Sequence, residues 1–367
     1  MAPACRCANP QTDFTRGDDN GRRVKHSRRP EPAPVTPVVR HAFAIALLSW
    51  SVSAPAESAA PRFPCETPLP LGHSIVLRDY YTDSARSLPD PARRQAYDEA
   101  TGSIRKAAQA VDAMADGYRA TGDSAAAQCA AAWFESYARQ GALLDTGGSS
   151  QSVYVQGWIG ASLAIAWLKV RNADIPEPER RQIVQWLAAL ARRNVAYYDG
   201  RPPGARDARN NLRYWAGLTA LAAGLAADRH DLIDWGVASY RLGVDQIADD
   251  GTLPLEMQRK SMALHYHLFA AAPLVTIAEL AELNDIPLYS YRDGALGRLV
   301  ERALSGTADA SFFANRTGVA QKRGELLPED VVWAAPFLRR FPHPGLMAIV
   351  QKFPQGTMLY IGGLPLN

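Results

Sequence analysis

The sequence predicts an all-α protein. Apolar residues recur at positions i, i+3, i+4 and i+7 in several segments, which is the spacing of a helix that buries one face. Short segments rich in Gly, Asp and Ser separate these helices, and no stretch alternates polar and apolar residues with β-branched side chains as a strand does. Because the connections are short, neighbouring helices are expected to run antiparallel.

The helical spacing begins near residue 90 and continues along the chain. It is clear where Ile183, Trp186, Leu187 and Leu190 form one stripe, downstream of two prolines that mark a helix start. Small residues in the predicted helices let them approach closely. Antiparallel hairpins of this kind can curl into an incomplete (α/α) toroid with a long groove, although a solenoid shows the same periodicity. The same spacing recurs in residues 163–170, 232–247, 275–283 and 296–304.

Composition indicates one large domain with no global attraction to polyanions. Of 367 residues, 47% are hydrophobic, which is enough for a large core. The net charge of +3 comes from residues 1–56, because the remainder holds 32 basic and 33 acidic residues. Nucleic acid is therefore not an expected partner. No run of about 18 apolar residues predicts a membrane span, and we expect a monomer.

Residues 1–56 have the pattern of a leader rather than of a folded domain. Arg40 precedes an apolar run at 42–50, and residues 54–56 form a small-x-small cleavage site that ends at Ala56. This pattern predicts a signal peptide and a periplasmic or secreted domain over residues 57–367. Because the run lies far from Met1, we expect the true start at Val38 or Val39. The alternative is an Arg/Pro-rich tail before a buried helix.

Two cysteines remain in the predicted mature domain. Cys65 and Cys129 are expected to form a disulfide, because exported proteins fold under oxidising conditions. The bond would hold the N-terminal segment against a helix. Two buried free thiols are the alternative.

Residues 73–89 are polar, aromatic and without helical spacing. Long irregular loops are often lids over a binding site. The alternative is a surface loop whose Tyr80 and Tyr81 pack on the nearest helix. Both interpretations stay open from the sequence.

Polar residues are densest in segments 209–215 and 256–267. Arg259 and Tyr266 are seven residues apart, which places them on one face of a helix, two turns apart. His265 and His267 are two residues apart and point about 200° apart on a helix, so we expect no metal site. The alternative for the whole set is a group of hydrogen-bonded core residues.

These segments resemble the two signature stretches of the alginate lyase (polymannuronate lyase) family. The resemblance is carried by Asn210-Asn211 followed by Tyr214-Trp215, by residues 250–256, and by Arg259 with residues 263–267. It covers roughly residues 61–345. The resemblance implies an exported, incomplete (α/α) toroid that cleaves an acidic polysaccharide by β-elimination without a metal or other cofactor.

The resemblance also implies roles for three residues. Elimination from a uronate needs the C6 carboxylate neutralised, a base for the C5 proton and an acid for the departing O4 atom. Asn211 would bind the carboxylate, and Tyr266 would serve as base and acid. Arg259 would lower the pKa of Tyr266, because a phenol with a pKa of about 10 is a weak base at neutral pH.

Leu212 departs from the family pattern, which has Asn-Asn-His at this point. Leucine neither donates a hydrogen bond nor titrates, and the loss of one such group typically costs on the order of a hundredfold to a thousandfold in rate. His265 or Arg213 could take its place, or the remaining residues could suffice for an easier uronate. The predicted substrate-binding residues are His265, Arg213, Tyr80, Tyr81 and Asn210.

Two other functions remain open from the sequence. One is a non-catalytic protein that binds acidic polysaccharide or helps to assemble exopolysaccharide. The other is a glycoside hydrolase, which needs two carboxylates about 5 to 10 Å apart across the groove. Glu256 and Asp250 are its candidate carboxylates.

Overall fold

The computed structural model describes residues 64–322 and 324–363, which belong to a unit spanning Ala59–Asn367. The predicted leader, residues 1–56, lies outside the described residues. Within those residues the secondary structure is helical, and extended pairing is limited to three isolated bridges. The all-α prediction is confirmed.

Eight long helices form the body of the domain: α1 (Pro91–Thr121), α2 (Ser124–Gln140), α3 (Ser150–Val170), α4 (Glu177–Asp199), α5 (Asn211–Ala227), α6 (His230–Asp245), α8 (Ala263–Glu282) and α9 (Ala295–Ala308). Shorter helices are α7 (Pro254–Met257), α10 (Ser311–Thr317), α11 (Pro328–Val331), α12 (Ala335–Arg340) and α13 (Pro344–Val350). Two 3-10 turns, Lys260–Met262 and Val332–Ala334, precede α8 and α12.

Side-chain caps and glycines set the ends of these helices. Asp90 accepts a hydrogen bond from the backbone of Arg93 at the start of α1, and Asn210 accepts one from the backbone of Leu212 at the start of α5. Gly122 and Gly141 end α1 and α2 with φ angles of 72° and 58°, the left-handed region that glycine adopts without strain. The cap on α5 fixes where its first turn begins.

Helices α3 and α5 lie at the centre of the core. α3 packs against α1, α4 and α5, and α5 also packs against α6 and α8. Small residues allow this proximity: a Cβ atom added to Gly217 of α5 would lie 2.6 Å from the Cβ atom of Ser239 on α6. α3 and residues 260–282 are apolar and long enough to cross a membrane. The most apolar 18-residue stretch of each is, however, 94% and 78% buried within the domain, respectively.

The N-terminal segment is held against α2. Cys65 and Cys129 form a disulfide with a Cα–Cα distance of 5.4 Å, which confirms the predicted pair. Beyond it, the Trp133 indole donates a hydrogen bond to the carbonyl of Glu66, and the Tyr137 hydroxyl donates one to Leu69. These contacts hold the segment that precedes the loop at residues 73–89 against α2.

Residues 358–363 are held by polar contacts with α1 and α3. The backbone N–H of Gly363 donates to Asp116 over 2.8 Å, and the ammonium of Lys169 donates to the carbonyl of Ile361 over 3.3 Å and pairs with Asp116. Tyr360 consequently packs against Trp158, with ring centroids 5.6 Å apart. This segment supplies one wall of the cleft described next.

Candidate active site

A cleft of about 290 Å³ brings together side chains from distant parts of the chain. They come from the loop at 73–89, from α1, α3, α5, α8 and α11, from the segment before α8 and from residues 358–360. Six of the predicted site residues are among its lining: Tyr80, Tyr81, Asn211, Arg259, His265 and Tyr266.

Tyr266 contacts two other predicted site residues. Its hydroxyl lies 2.8 Å from the hydroxyl of Tyr81. The guanidinium carbon of Arg259 lies 4.2 Å from the centroid of the Tyr266 ring, so the cation stacks on the face of the phenol. Arg259 therefore acts on the ring as a whole and forms no hydrogen bond with the hydroxyl.

Burial dominates the protonation of Tyr266. Desolvation raises the pKa of Tyr266 to about 12, although the positive charge of Arg259 and the hydrogen bond from Tyr81 act in the opposite direction. Arg259 acts on the pKa of Tyr266 in the predicted direction, but desolvation by burial is the larger effect. Tyr266 is therefore a neutral phenol in the free protein at pH 7, and its phenolate depends on the charge of Arg259.

Glu256 links Asn211 to Arg259. One carboxylate oxygen accepts hydrogen bonds from the backbone N–H and the side-chain amide of Asn211, over 2.9 and 2.8 Å. The other accepts from Nε of Arg259 over 3.3 Å, and both side chains of this ion pair are at most 2% exposed. A single buried carboxylate thus orients two residues that line the cleft.

The carbonyl oxygen of Asn211 is buried and has no hydrogen-bond partner within the described residues. Because Glu256 fixes the amide nitrogen, the orientation of the Asn211 side chain is set. Leu212 follows in the first turn of α5 and also lines the cleft, with 7% of its surface exposed. The first turn of α5 therefore offers the cleft one amide beside an apolar side chain.

Two predicted substrate-binding residues lie outside the lining of the cleft. Asn210 is buried and caps α5. The guanidinium of Arg213 stacks on Trp235 at 3.6 Å and its Nε donates to Ser239 over 2.9 Å. Leu212 and Arg213 are neighbours on a helix and point about 100° apart, which explains why only one of them faces the cleft.

The loop at residues 73–89 combines both interpretations given to it. Tyr80 packs on Tyr97 of α1 with a centroid distance of 4.8 Å, whereas Tyr81 reaches the hydroxyl of Tyr266. Asp83 stabilises the loop by accepting hydrogen bonds from the backbone N–H groups of Ser87 and Leu88, each over 2.8 Å. The loop forms one wall of the cleft, to which it contributes Tyr80, Tyr81 and Arg86.

His265 opens onto the cleft from the first turn of α8, and its solvent-accessible surface places it among the exposed residues. Its ring is nearly parallel to Phe269, with centroids 6.2 Å apart, and lies 5.1 Å from the ring of Tyr266. The protein around the cleft lowers the pKa of His265 by desolvation. The imidazole is neutral at pH 7 and accessible.

His267 has a structural role. It is fully buried, and its Nε2 atom accepts a hydrogen bond from the backbone of Leu253 over 2.8 Å. Among the described residues, no group of three or more His, Cys, Asp or Glu side chains is arranged to hold a metal ion.

The carboxylates proposed for a glycoside hydrolase do not form that site. Glu256 is fully buried and holds Asn211 and Arg259. Asp250 accepts from Thr252 and pairs with Arg316 over 3.0 Å, away from the cleft lining. The requirement for two carboxylates facing a substrate is not met by this pair.

Sequence reasoning missed the cationic and aromatic walls of the cleft. Arg86, Arg94 and Arg105 line one part of it. Arg94 and Arg105 lie on α1, where the spacing of apolar residues predicts a helix but does not indicate a binding site. Trp158 and Tyr360, which are 202 residues apart in the chain, line another part. No motif connects these residues, because the tertiary fold alone brings them to one surface.

Comparison with known proteins finds relatives over most of the chain. The alginate lyase family model matches residues 53–313. A polysaccharide lyase from Stenotrophomonas maltophilia is 43% identical over 260 residues, covering 70% of this chain and 77% of its own length. An alginate lyase from Pseudomonas entomophila is 32% identical over 284 residues, covering 75% and 77%.

Solved structures share the fold. A histidine-to-alanine variant of alginate lyase A1-III complexed with tetrasaccharide superposes with a TM-score of 0.69 at 25% identity, covering 78% of this chain and 82% of its own. An alginate lyase from Bacteroides ovatus gives a TM-score of 0.55 at 17% identity, covering 80% and 83%, and shows the fold alone. The predicted incomplete (α/α) toroid is confirmed. The chain belongs to the alginate lyase family and is a polysaccharide lyase.

Proposed function

We propose that the protein cleaves an acidic, uronate-containing polysaccharide of the alginate or polymannuronate type by β-elimination in the periplasm. The observation that carries this proposal is the juxtaposition of Tyr266, Arg259 and Asn211 in one cleft, with Arg259 stacked on the phenol ring and the amide held by Glu256. The names of the relatives, alginate lyase and polysaccharide lyase, support the same class of substrate.

The charge of the cleft fits a polyanion. Arg86, Arg94 and Arg105 line it together with Arg259, and a guanidinium stays charged at any physiological pH. Aromatic rings of Tyr97 and other lining residues offer flat surfaces against which the faces of sugar rings can pack. A chain of uronates presents a carboxylate on every residue and apolar C–H faces between them. The arginines of the cleft can therefore pair with the carboxylates, and the aromatic rings can pack on the C–H faces.

The proposed chemistry needs three functions around one sugar ring. The side-chain N–H of Asn211 that does not bond Glu256 donates a hydrogen bond to the C6 carboxylate and stabilises the extra negative charge that develops when the C5 proton leaves. Tyr266, as a phenolate, takes the C5 proton, and the C5–H electron pair forms the C4–C5 double bond. As the C4–O4 bond breaks, its electron pair stays on O4 and the same phenol gives that proton to the O4 atom. Arg259 stabilises the phenolate that remains, because its positive charge lies against the ring.

The periplasmic location is supported by two independent features. The apolar run after Arg40 and the small residues that end at Ala56 match an export signal. The disulfide between Cys65 and Cys129 requires an oxidising compartment to form and persist. Detection of the protein and its processed N-terminus in a periplasmic extract tests the location.

The activity is tested by ultraviolet absorbance of the unsaturated uronate product, with polymannuronate, polyguluronate, polyglucuronate and polygalacturonate as substrates. We expect product from polymannuronate above all. Tyr266→Phe should lower kcat by about a hundredfold or more, since it removes the acid while keeping the ring. Tyr291→Phe is the matched control, because its hydroxyl contacts Asp245 outside the cleft.

Two outcomes contradict the proposal. Binding of these polymers without product would indicate a non-catalytic polysaccharide-binding protein. Equal activity of Tyr266→Phe and the native protein would remove Tyr266 from the reaction. Leu212→His adds information in either case, because a gain in rate would indicate that the position limits catalysis.

A further inference from the structure

We propose that Arg86 is the cation that pairs with the C6 carboxylate of the uronate being cleaved, beside the amide of Asn211. This assignment rests on the proposed lyase function and adds the positive charge that the first turn of α5 lacks. The cleft receives from that turn one neutral amide and the apolar side chain of Leu212. A carboxylate withdrawn from water needs a cationic partner, and elimination places additional negative charge on it.

The backbone next to Arg86 contacts the reacting groups of the cleft. The carbonyl of Ala85 accepts a hydrogen bond from the guanidinium of Arg259 over 3.3 Å. The same guanidinium stacks on Tyr266, with its carbon 4.2 Å from the ring centroid. The side chain of Arg86 lines the same cleft, and its guanidinium carbon lies 5.5 Å from the ring centroid of Tyr154. One hydrogen-bonded peptide unit therefore separates Arg86 from the cation that lies against the phenol.

The guanidinium of Arg86 can change partners. It pairs with Asp79 over 3.1 Å, and the two side chains are 28% and 40% exposed. An ion pair this open to water contributes little to stability, because the solvent screens its charges. A substrate that fills the cleft excludes this water, and the planar guanidinium can bind a carboxylate through two parallel hydrogen bonds. The C6 carboxylate can thus replace Asp79 as the partner of Arg86.

The other cations of the cleft suit this role less well. Arg259 is bound by Glu256 in an ion pair whose side chains are 2% and 1% exposed, so a substrate cannot replace its partner. Arg94 and Arg105 lie on α1, and both donate hydrogen bonds to Asp98 over 2.8 Å. Because these hydrogen bonds are made within α1, we expect the two arginines to bind carboxylates of other sugars along the polymer. The experiment below compares them with Arg86.

The backbone of Arg86 offers a way to test the side chain apart from stability. Its φ angle is 52°, in the left-handed region where a side chain strains the backbone and glycine does not. Arg86→Gly therefore removes this strain together with the guanidinium. Its melting temperature should stay near the native value, because the relief of strain offsets the greater freedom of glycine in the unfolded chain. Activity, by contrast, should fall.

The test measures product absorbance with polymannuronate for Arg86→Gln, Arg86→Gly and the native protein. We expect kcat to fall about a hundredfold in both variants, as when one donor to a developing anion is removed. Added guanidinium, at concentrations far below those that denature the protein, should restore part of the rate of Arg86→Gly. Arg94→Gln and Arg105→Gln should raise KM and keep kcat, because they remove binding that is equal before and during the reaction. Arg78→Gln should match the native protein, since Arg78 is exposed in the same loop and lies outside the cleft lining.

Asp79→Asn should act in the opposite direction. The change removes the charge that competes for Arg86, while the amide oxygen can still accept the 3.1 Å hydrogen bond from the backbone of Tyr81. KM for polymannuronate should fall by about twofold to fivefold, which corresponds to the small free energy of an exposed ion pair. The double variant with Arg86→Gln should show no such gain, since the competing pair is already absent. A gain that persists in the double variant would contradict the exchange of partners.

Three results overturn the inference. If Arg86→Gln and Arg86→Gly keep the native kcat while Tyr266→Phe is inactive, Arg86 does not bind the reacting carboxylate and the proposed function stands. If Arg94→Gln or Arg105→Gln loses kcat and the Arg86 variants change KM alone, the cation belongs to α1. If the native protein forms no product from any of the four polymers, the proposed function fails and the inference fails with it. Thermal unfolding of each variant identifies a loss caused by misfolding, and guanidinium rescue of Arg86→Gly excludes a purely structural role.

Discussion

Glu256→Gln tests whether one buried carboxylate holds the site together. The change keeps the shape of the side chain but replaces one acceptor oxygen with an NH2 group. If the remaining oxygen stays with the two donors of Asn211, the new NH2 group faces Nε of Arg259, and two donors meet. Arg259 then keeps only a 3.3 Å hydrogen bond to the carbonyl of Ala85 and its stack on Tyr266.

The expected cost follows from the burial of this pair. Arg259 and Glu256 have side chains that are 2% and 1% exposed, so water cannot replace the lost partner. Breaking such a buried ion pair on one side costs about 3 to 5 kcal/mol in the free energy of unfolding. At about 2 °C per kcal/mol for a domain of this size, the melting temperature should fall by roughly 6 to 10 °C. Displacement of Arg259 by about 1 Å should also lower kcat about a hundredfold.

The assay pairs thermal unfolding with product absorbance, and Glu279→Gln is the control. Glu279 is also a buried carboxylate, bonded to Arg340 over 2.8 Å and to Tyr289 over 2.9 Å, but it lies outside the cleft lining. Because Arg340 is 36% exposed, the control should lose only about 1 to 3 kcal/mol and keep its activity. Native stability and native kcat in Glu256→Gln would refute the reasoning. Equal loss of activity in both variants would show that destabilisation alone explains the effect.

Four further outcomes are expected. Cys129→Ser should destabilise the domain by roughly 4 kcal/mol for a 64-residue separation, measured by urea unfolding without reductant. Tyr81→Phe should reduce kcat about fivefold, because it removes a hydrogen bond worth about 1 kcal/mol that lowers the pKa of Tyr266. Raising ionic strength from about 0.1 M to about 1 M should increase KM without a matching change in kcat, as the screening length falls from about 10 to about 3 Å. Burial raises the pKa of Asp112 from 3.8 to about 8, so its folded form binds a proton that the unfolded form releases. Its contribution to stability is present at acid pH and is lost as the pH rises toward 8, and urea midpoints should show a flatter pH dependence for Asp112→Asn.

The helical architecture could be predicted because its signals are local. The stripe from Ile183 to Leu190 lies within α4, and the polar residue Asn210 stands where α5 begins. The disulfide was also predictable, since a domain predicted to be exported contains two cysteines, each with one possible partner. These features depend on residues close together in the sequence or on the number of cysteines, so they can be inferred without the tertiary structure.

The arrangement of the site was only partly predictable. The spacing of Arg259 and Tyr266 predicts one face of a single helix, which is wrong: α8 begins at Ala263, and Arg259 lies just before the 3-10 turn Lys260–Met262. The predicted contact is nevertheless present, because the side chain of Arg259 reaches the ring of Tyr266 from that turn. The pKa of Tyr266 could not be judged from the sequence, because desolvation by the whole cleft outweighs the nearby cation. Arg213 looked equivalent to its neighbours in the motif, yet its helix position turns it toward Trp235. Glu256 was read as a possible catalytic acid, whereas its burial shows that it serves other side chains.

The cleft is assembled from segments that are far apart along the chain, and this has a consequence for refolding. Most helices form from local contacts, which are made early, whereas the wall at Tyr360 depends on packing against Trp158 and Trp215, and residue 363 depends on Asp116. Contacts over such separations form slowly because a long loop must close first. After dilution from denaturant, the helical circular dichroism signal should therefore recover before enzymatic activity. The delay would measure the time that the chain needs to close its own active site.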